Sequence, residues 1–166
     1  LSDGRVLDVG PDTTTRVLTP GSWTWSTLAT SPFDGHSSVM YRPNKIMNSG
    51  TWADPDFGGQ YPAYDSDGRT AVLDMNAATP AWRETAPMAH GRSYHNMTLL
   101  PDGTVLASGG SSRSDGIDLT KSVLPAEIWN PDTGQWRAGA TAQRIRTYHS
   151  TALLMPSGAV LTAAGG

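Results

Sequence analysis

The 166-residue chain contains no cysteine. A disulfide and a thiolate metal site are therefore excluded within it, and cysteine usage says nothing about its redox compartment. Charge is also scarce: 16% of residues are charged and the net charge is -3, which leaves no basic surface for a phosphate backbone or an anionic membrane. Nucleic acid is not an expected partner. No apolar run approaches the roughly 20 residues that span a bilayer, so no membrane association is expected either. The opening residues LSDGRVLDVG have neither a basic start nor a long hydrophobic core, so no targeting segment is visible. They read at once as a strand. With the stop on Gly165 and Gly166, this implies a piece of a longer chain. Helical periodicity is missing as well. What the chain has is 37% hydrophobic residues, enough for a core, together with 18 glycines and 12 prolines that punctuate short strands.

Self-similarity organises these residues. LSDGRVLDVG (1–10), NKIMNSG (44–50), LPDGTVLASGG (100–110) and MPSGAVLTAAGG (155–166) are four copies of a turn, a short apolar strand and a small-residue stop. The turn residue and the small residue six places later are Gly4 and Gly10, Asn44 and Gly50, Gly103 and Gly109, and Gly158 and Ala164. Asn44 replacing glycine predicts a positive φ at that turn, because asparagine tolerates the left-handed region better than most residues. Turn-to-turn steps are 40, 59 and 55 residues, while Trp82 and Trp136, and His95 and His149, are each 54 apart. This is close to the roughly 50-residue period of kelch repeats.

One repeat reads as four strands, SYHNMTLL, TVLASGG, AEIWN and QWRAG, joined by the turn sequences PDG and PDTG. Four-stranded antiparallel sheets at this period are the blades of a β-propeller. The expected organisation is all-β: a single incomplete propeller with a partial blade at 1–30, whole blades at 35–87 and 90–140, and a partial blade at 145–166. Propellers have roughly four to eight blades, so this length does not close a ring alone.

Strand parity predicts where function lies. In an up-and-down sheet the short turns PDG and PDTG share one end. The long links TWADPDFGGQYPAYDSDGR (51–69) and SSRSDGIDLTKS (111–122) share the other with Tyr94-His95 and Tyr148-His149. Polar loops beside Tyr and His on a rigid scaffold are where a site is expected, although tolerated insertions need no function.

RTYHSTALLMPSGAVLTAAGG, preceded by AEIWNPDTGQWRAGATAQRI, resembles the kelch-propeller domain of the galactose oxidase and glyoxal oxidase group, the copper radical oxidases. APMAHGRSYHNMTLLPDGTVLASGG resembles the blade before it, and GHSSVMYRPNKIMNSG the one before that. The resemblance implies an extracellular parent enzyme that uses one copper ion and a tyrosyl radical to oxidise an alcohol or aldehyde, carbohydrates included, passing two electrons to O2 to give hydrogen peroxide. It maps Tyr148 onto an axial phenolate ligand that also serves as the base for the substrate hydroxyl, and His149 onto an equatorial imidazole ligand. Imidazole suits copper, and a phenol beside a metal can act as a base. Adjacent strand residues point to opposite faces, so both reach one ion only at an irregular strand start. The cysteine-tyrosine radical cofactor is expected outside this chain, as are the missing blades and a C-terminal domain carrying a further histidine ligand. The piece alone is expected to be inactive.

Plainer readings stand beside this one. A kelch-type propeller without catalysis would hold a protein or glycan on its long-loop face, and an incomplete scaffold would associate through open blade edges. Tyr94 and His95 repeat the Arg-x-Tyr-His pattern of Arg146 to His149, and one ring holds one such copper, so at least one copy is scaffold. Arg92 and Arg146 are read as fixing carbonyls between blades. His36 and His90 read as packing or surface histidines. DPD (54–56) and DSDG (65–68) read as solvated loop acids rather than a calcium loop, since no bidentate glutamate follows at EF-hand spacing. Trp52, Phe57, Tyr61 and Tyr64 are candidates for stacking on a ligand or for covering apolar edges. Trp82, Trp129 and Trp136 read as inter-blade packing.

Overall fold

Turn chemistry builds the fold from short pieces. The structure, a computed structural model, describes residues 1–10, 12–51 and 64–165. All four repeat turns and all four stops have positive φ: 84° and 79° at Gly4 and Gly10, 60° and 78° at Asn44 and Gly50, 82° and 68° at Gly103 and Gly109, and 84° and 53° at Gly158 and Ala164. The expectation for Asn44 holds. The turn at 100–104 closes with Gly103 N–H on the Leu100 carbonyl (2.9 Å) and Leu100 N–H on the Thr104 carbonyl (2.8 Å), and the turn at 155–159 repeats both bonds.

These turns join antiparallel strands into four sheets. β1 (Val6–Val9), β2 (Thr14–Thr19) and β3 (Thr24–Thr30) form a three-stranded sheet. β4 (Ser37–Arg42), β5 (Lys45–Ser49), β6 (Thr70–Asp74) and β7 (Trp82–Glu84) form a four-stranded one in chain order. β8 (Asn96–Leu99), β9 (Val105–Ser108), β10 (Pro125–Asn130) and β11 (Gln135–Thr141) form the next, and β12 (Thr151–Leu154) pairs with β13 (Val160–Ala163). The result is two complete four-stranded blades with partial blades at each end. No α-helix occurs among the described residues; a 3-10 turn at Leu119–Lys121, which the sequence pattern did not suggest, is capped by Asp118, whose side chain accepts from Thr120 N–H.

Blades pack face to face, which is why β5 and β6 are buried almost throughout instead of alternating. The main core lies between the two complete blades: Tyr41, Met47 and Val72 from one meet Val105 and Trp129 from the other. Trp129 is 2% exposed and meets the Tyr41 ring edge-on at 5.0 Å. Trp82 donates its indole N–H to Thr15 Oγ1 of the preceding sheet (2.8 Å), and Trp136 packs against the core cluster, so the tryptophans work between blades as expected.

The first strands of successive blades are neighbours, β4 beside β8 and β8 beside β12. Their join explains the repeated glycine stop. Thr51 N–H bonds the Arg92 carbonyl and Gly110 N–H bonds the Arg146 carbonyl, each across a blade boundary. A Cβ on Gly50 would lie 2.4 Å from the Arg92 carbonyl oxygen, and one on Gly109 2.4 Å from that of Arg146. Gly103, with a similar φ, has nothing within 4 Å of its Cβ position. Gly109→Ala is therefore expected to cost about 2–4 kcal/mol, strain plus overpacking, against about 1 kcal/mol for Gly103→Ala. Equal losses in denaturant unfolding would contradict this account of the blade joint.

Candidate functional site

The two Arg-x-Tyr-His copies fold differently, and the difference is a one-residue shift of a backbone kink. In the first copy the left-handed residue is Tyr94 (φ 55°); in the second it is His149 (φ 63°). Non-glycine residues adopt this region rarely, and each kink interrupts the strand before its regular part, so β8 begins at Asn96 and β12 at Thr151.

The shift decides what each pair presents. With the kink at Tyr94, both members of the first pair turn inward: Tyr94 is 8% and His95 4% exposed. His95 Nε2 meets Ser49 Oγ at 2.9 Å, and the His95 carbonyl accepts from Ser37 Oγ. Burial, then the charge on Arg92 and the neighbouring His36, hold the His95 imidazole well below its ordinary pKa. It is a neutral structural group. The second pair, with its kink at His149, lies at the start of the two-stranded sheet that no later blade of this chain covers, where Tyr148 is half-buried and His149 exposed. Their rings stack at 3.7 Å with an interplanar angle of 26°, so the phenol and the imidazole share one side of the backbone. The pair thus lies at an irregular strand start, just ahead of β12.

Further rings continue from this pair across the blades. Tyr148 meets Tyr94 edge-on (5.1 Å, 78°), and Tyr94 meets His36 (4.7 Å, 55°). His36, Tyr94 and Tyr148 each lie just before the first strand of their blade, at the end where the long links emerge. The links do converge there. Ser66 N–H bonds the Ser112 carbonyl and Ser114 N–H the Tyr64 carbonyl, each at 2.9 Å, and Arg113 pairs with Asp65 at 2.9 Å. Arg92 N–H bonds the Asp67 carbonyl (3.0 Å), which ties the 64–68 segment to the entry of the next blade. Asp67 also accepts from Arg69 N–H (3.0 Å), so both described acids of DSDG have protein partners. DPD, Trp52, Phe57 and Tyr61 lie outside the described residues.

Arg92 binds carbonyls, but within its own blade rather than between blades. Its guanidinium reaches the carbonyls of Gly109 (2.8 Å) and Pro125 (2.6 Å) and the carboxylate of Glu127 (2.8 Å). Glu127 also accepts from Ala89 N–H (2.6 Å) and His90 N–H (3.3 Å). Sequence reading missed Glu127, because its partner lies 35 positions away and an acid inside a strand has no local signature. Arg146 makes bonds to the carbonyls of Ile145 (2.7 Å) and Thr162 (3.5 Å), also within its own sheet.

Burial lowers the His36 pKa from its ordinary 6.5 to about 4. The folded state then binds fewer protons than the unfolded chain between these values, so this contribution is complete above pH 6.5 and is lost as pH falls towards 4. Most carboxylates stay ionised at pH 5. His95, also held well below its ordinary pKa, adds to the same slope, so His36→Gln is expected to remove about 1–2 kcal/mol of the stability lost between pH 7 and pH 5 rather than all of it. An equal slope in parent and variant, read from unfolding at the two pH values, would exclude His36 as its source.

Among the described residues no three or more His, Cys, Asp or Glu side chains form a metal cluster. At this end Tyr148 and His149 offer one phenol and one imidazole side by side. That composition fits part of a copper site, since imidazole suits copper and a phenol can bind it as phenolate.

The repeated four-stranded sheets and the joint glycines define the chain as blades of a β-propeller. No protein-family model matches it. Two galactose oxidases from Gibberella zeae are each 29% identical to it over 115 residues, covering 66% of this chain and 17% of their own length. Among solved structures, a fungal alcohol oxidase of the AA5 family in complex with copper matches 98% of this chain and 34% of its own, with a TM-score of 0.84 and 27% identity. YjhT matches 87% of this chain and 43% of its own, with a TM-score of 0.65 and 16% identity, a likeness of fold alone. The chain is galactose oxidase-like in both sequence and fold, and it spans well under half the length of these relatives.

Proposed function

We propose that this chain is a propeller segment of a secreted copper radical oxidase, in which Tyr148 and His149 are two ligands of the copper ion. The kink at His149 is the observation that carries this reading: it stacks the two rings on one side while the equivalent kink at Tyr94 turns the other copy inward. One incomplete propeller, with blades or partial blades at 1–30, 35–87, 90–140 and 145–166, supplies the rigid base. The remaining ligands and the cysteine-tyrosine radical cofactor come from outside this chain, which has no cysteine of its own.

When bound, copper together with that radical supplies the acceptance of two electrons from a primary alcohol or aldehyde and their delivery to O2. For an alcohol the balance is RCH2OH + O2 giving RCHO + H2O2. Tyr148 holds the proton at stake: its phenolate oxygen accepts the substrate hydroxyl proton. His149 supplies an imidazole donor, and the 111–122 link packs on Tyr94, the ring that meets Tyr148.

The test is a peroxide assay on copper-loaded full-length protein with primary alcohols, galactose and small aldehydes. Production of peroxide that is lost in Tyr148→Phe and His149→Ala supports the proposal. A folded, copper-treated protein that makes no peroxide from any of them favours a non-catalytic binding propeller instead.

A further inference from the structure

We propose that Tyr94, the tyrosine of the buried copy, is a positioning residue that holds the Tyr148 ring in its ligand orientation. This rests on the copper reading above and names a further residue for it. Tyr148 sits on a segment tied down locally by Ser150 N–H on the Thr147 carbonyl and Gly110 N–H on the Arg146 carbonyl, and it is half-buried. Its ring therefore depends on neighbouring side chains for its direction. His149 covers one face, and the Tyr94 ring meets it edge-on from the adjacent blade.

Tyr94 is itself held on several sides. A Cβ on Gly116 would lie 2.1 Å from Tyr94 Cδ2 and 2.2 Å from Cε2, so the 111–122 link rests its backbone directly on the ring. Gly116 has φ 61°, which suits glycine at this close approach. The link is fixed in turn: Ser93 Oγ donates to the Arg113 carbonyl (2.6 Å), and Arg113 pairs with Asp65 of the other link. His36 packs against Tyr94 from the blade before. A path of contacts thus runs from the exposed Asp65–Arg113 pair through Gly116 and Tyr94 to Tyr148. The first copy of the motif serves as the brace of the second, and the ring alone is required.

The test is titration of the full-length protein with Cu(II) alone, reading affinity and the phenolate-to-copper absorption band, with circular dichroism confirming the fold. Tyr94→Phe is expected to keep both, because it keeps the ring. Tyr94→Leu is expected to weaken copper binding about three- to tenfold, the range set by an aromatic pair, and to shift or broaden the band. Gly116→Ala pushes on the ring without removing it and is expected to move the band in the same way, which decides the matter if Tyr94→Leu fails to fold. Tyr148→Phe separates the two claims. If it leaves the band intact, the ligand reading falls and the brace with it. If it removes the band while folded Tyr94→Leu and Gly116→Ala match the parent, the brace alone is wrong. A band lost in Tyr94→Phe would also overturn the proposal, since the hydroxyl would then be the working group.

Discussion

Tyr148→Phe is expected to lower kcat for alcohol oxidation in the full-length protein by about 10²–10⁴-fold, the range of a positioned acid-base group, with a much smaller change in KM. The substitution isolates the oxygen. Phenylalanine keeps the ring that stacks on His149 and receives the Tyr94 edge, so packing around the site is preserved. What disappears is the oxygen that, on the proposed reading, takes the substrate hydroxyl proton and binds the ion. Tyr94→Phe is the matched control, because it deletes the equivalent oxygen from the buried copy and is expected to leave kcat within about threefold of the parent. Steady-state peroxide production checks both. Equal losses in the two variants would mean that the kink at His149 does not single out the second copy.

The second large effect concerns stability. Glu127→Gln or Glu127→Ala is expected to destabilise the protein by about 3–5 kcal/mol, because either leaves the Arg92 charge buried without its counterion. Arg92 is fully buried and Glu127 3% exposed, and the carboxylate also serves two backbone N–H groups at the blade entry. Burial lowers the Arg92 pKa while Glu127 opposes that shift, and because arginine stays charged the buried guanidinium needs this carboxylate as its counterion. Arg92 sits two residues before Tyr94, so the pair holds the segment from which that kink departs. Denaturant unfolding measures the loss. By contrast, removing the exposed Arg69–Glu84 pair is expected to cost under about 1 kcal/mol. Similar costs for the two pairs would show that burial is not what matters.

Much of this architecture is legible in the residues. Gly4, Asn44, Gly103 and Gly158 announce the turns because only a few residues accept positive φ, and the small residue six places later announces the blade joint. The tryptophans recur because each blade must fill the same gap against its neighbour. Strand parity places both long links with the Tyr-His pairs, and Asp65, Ser66 and Tyr64 do meet Arg113, Ser112 and Ser114 there.

The site was less legible. Arg-x-Tyr-His reads identically at 92–95 and 146–149, and a shift of the left-handed residue from Tyr94 to His149 has no local sequence cue. Family resemblance pointed to the second copy; the physical distinction is the kink. The sequence suggests Arg92 as an inter-blade tie, since arginine seeks carbonyls, but its buried partner Glu127 lies within its own blade across a long connection that no local pattern spans. The Gly116 contact with Tyr94 is likewise a product of tertiary packing.

The most direct test of the central claim is a copper titration of the full-length protein and three single variants. Tyr148→Phe and His149→Ala are expected to weaken Cu(II) binding by more than about 100-fold, since even outer-shell partners of a metal ligand contribute 10–100-fold. His90→Ala, at an exposed histidine far along the chain from the kink, should bind like the parent. Parent-like copper affinity in folded Tyr148→Phe and His149→Ala would contradict the claim that this pair belongs to the copper site.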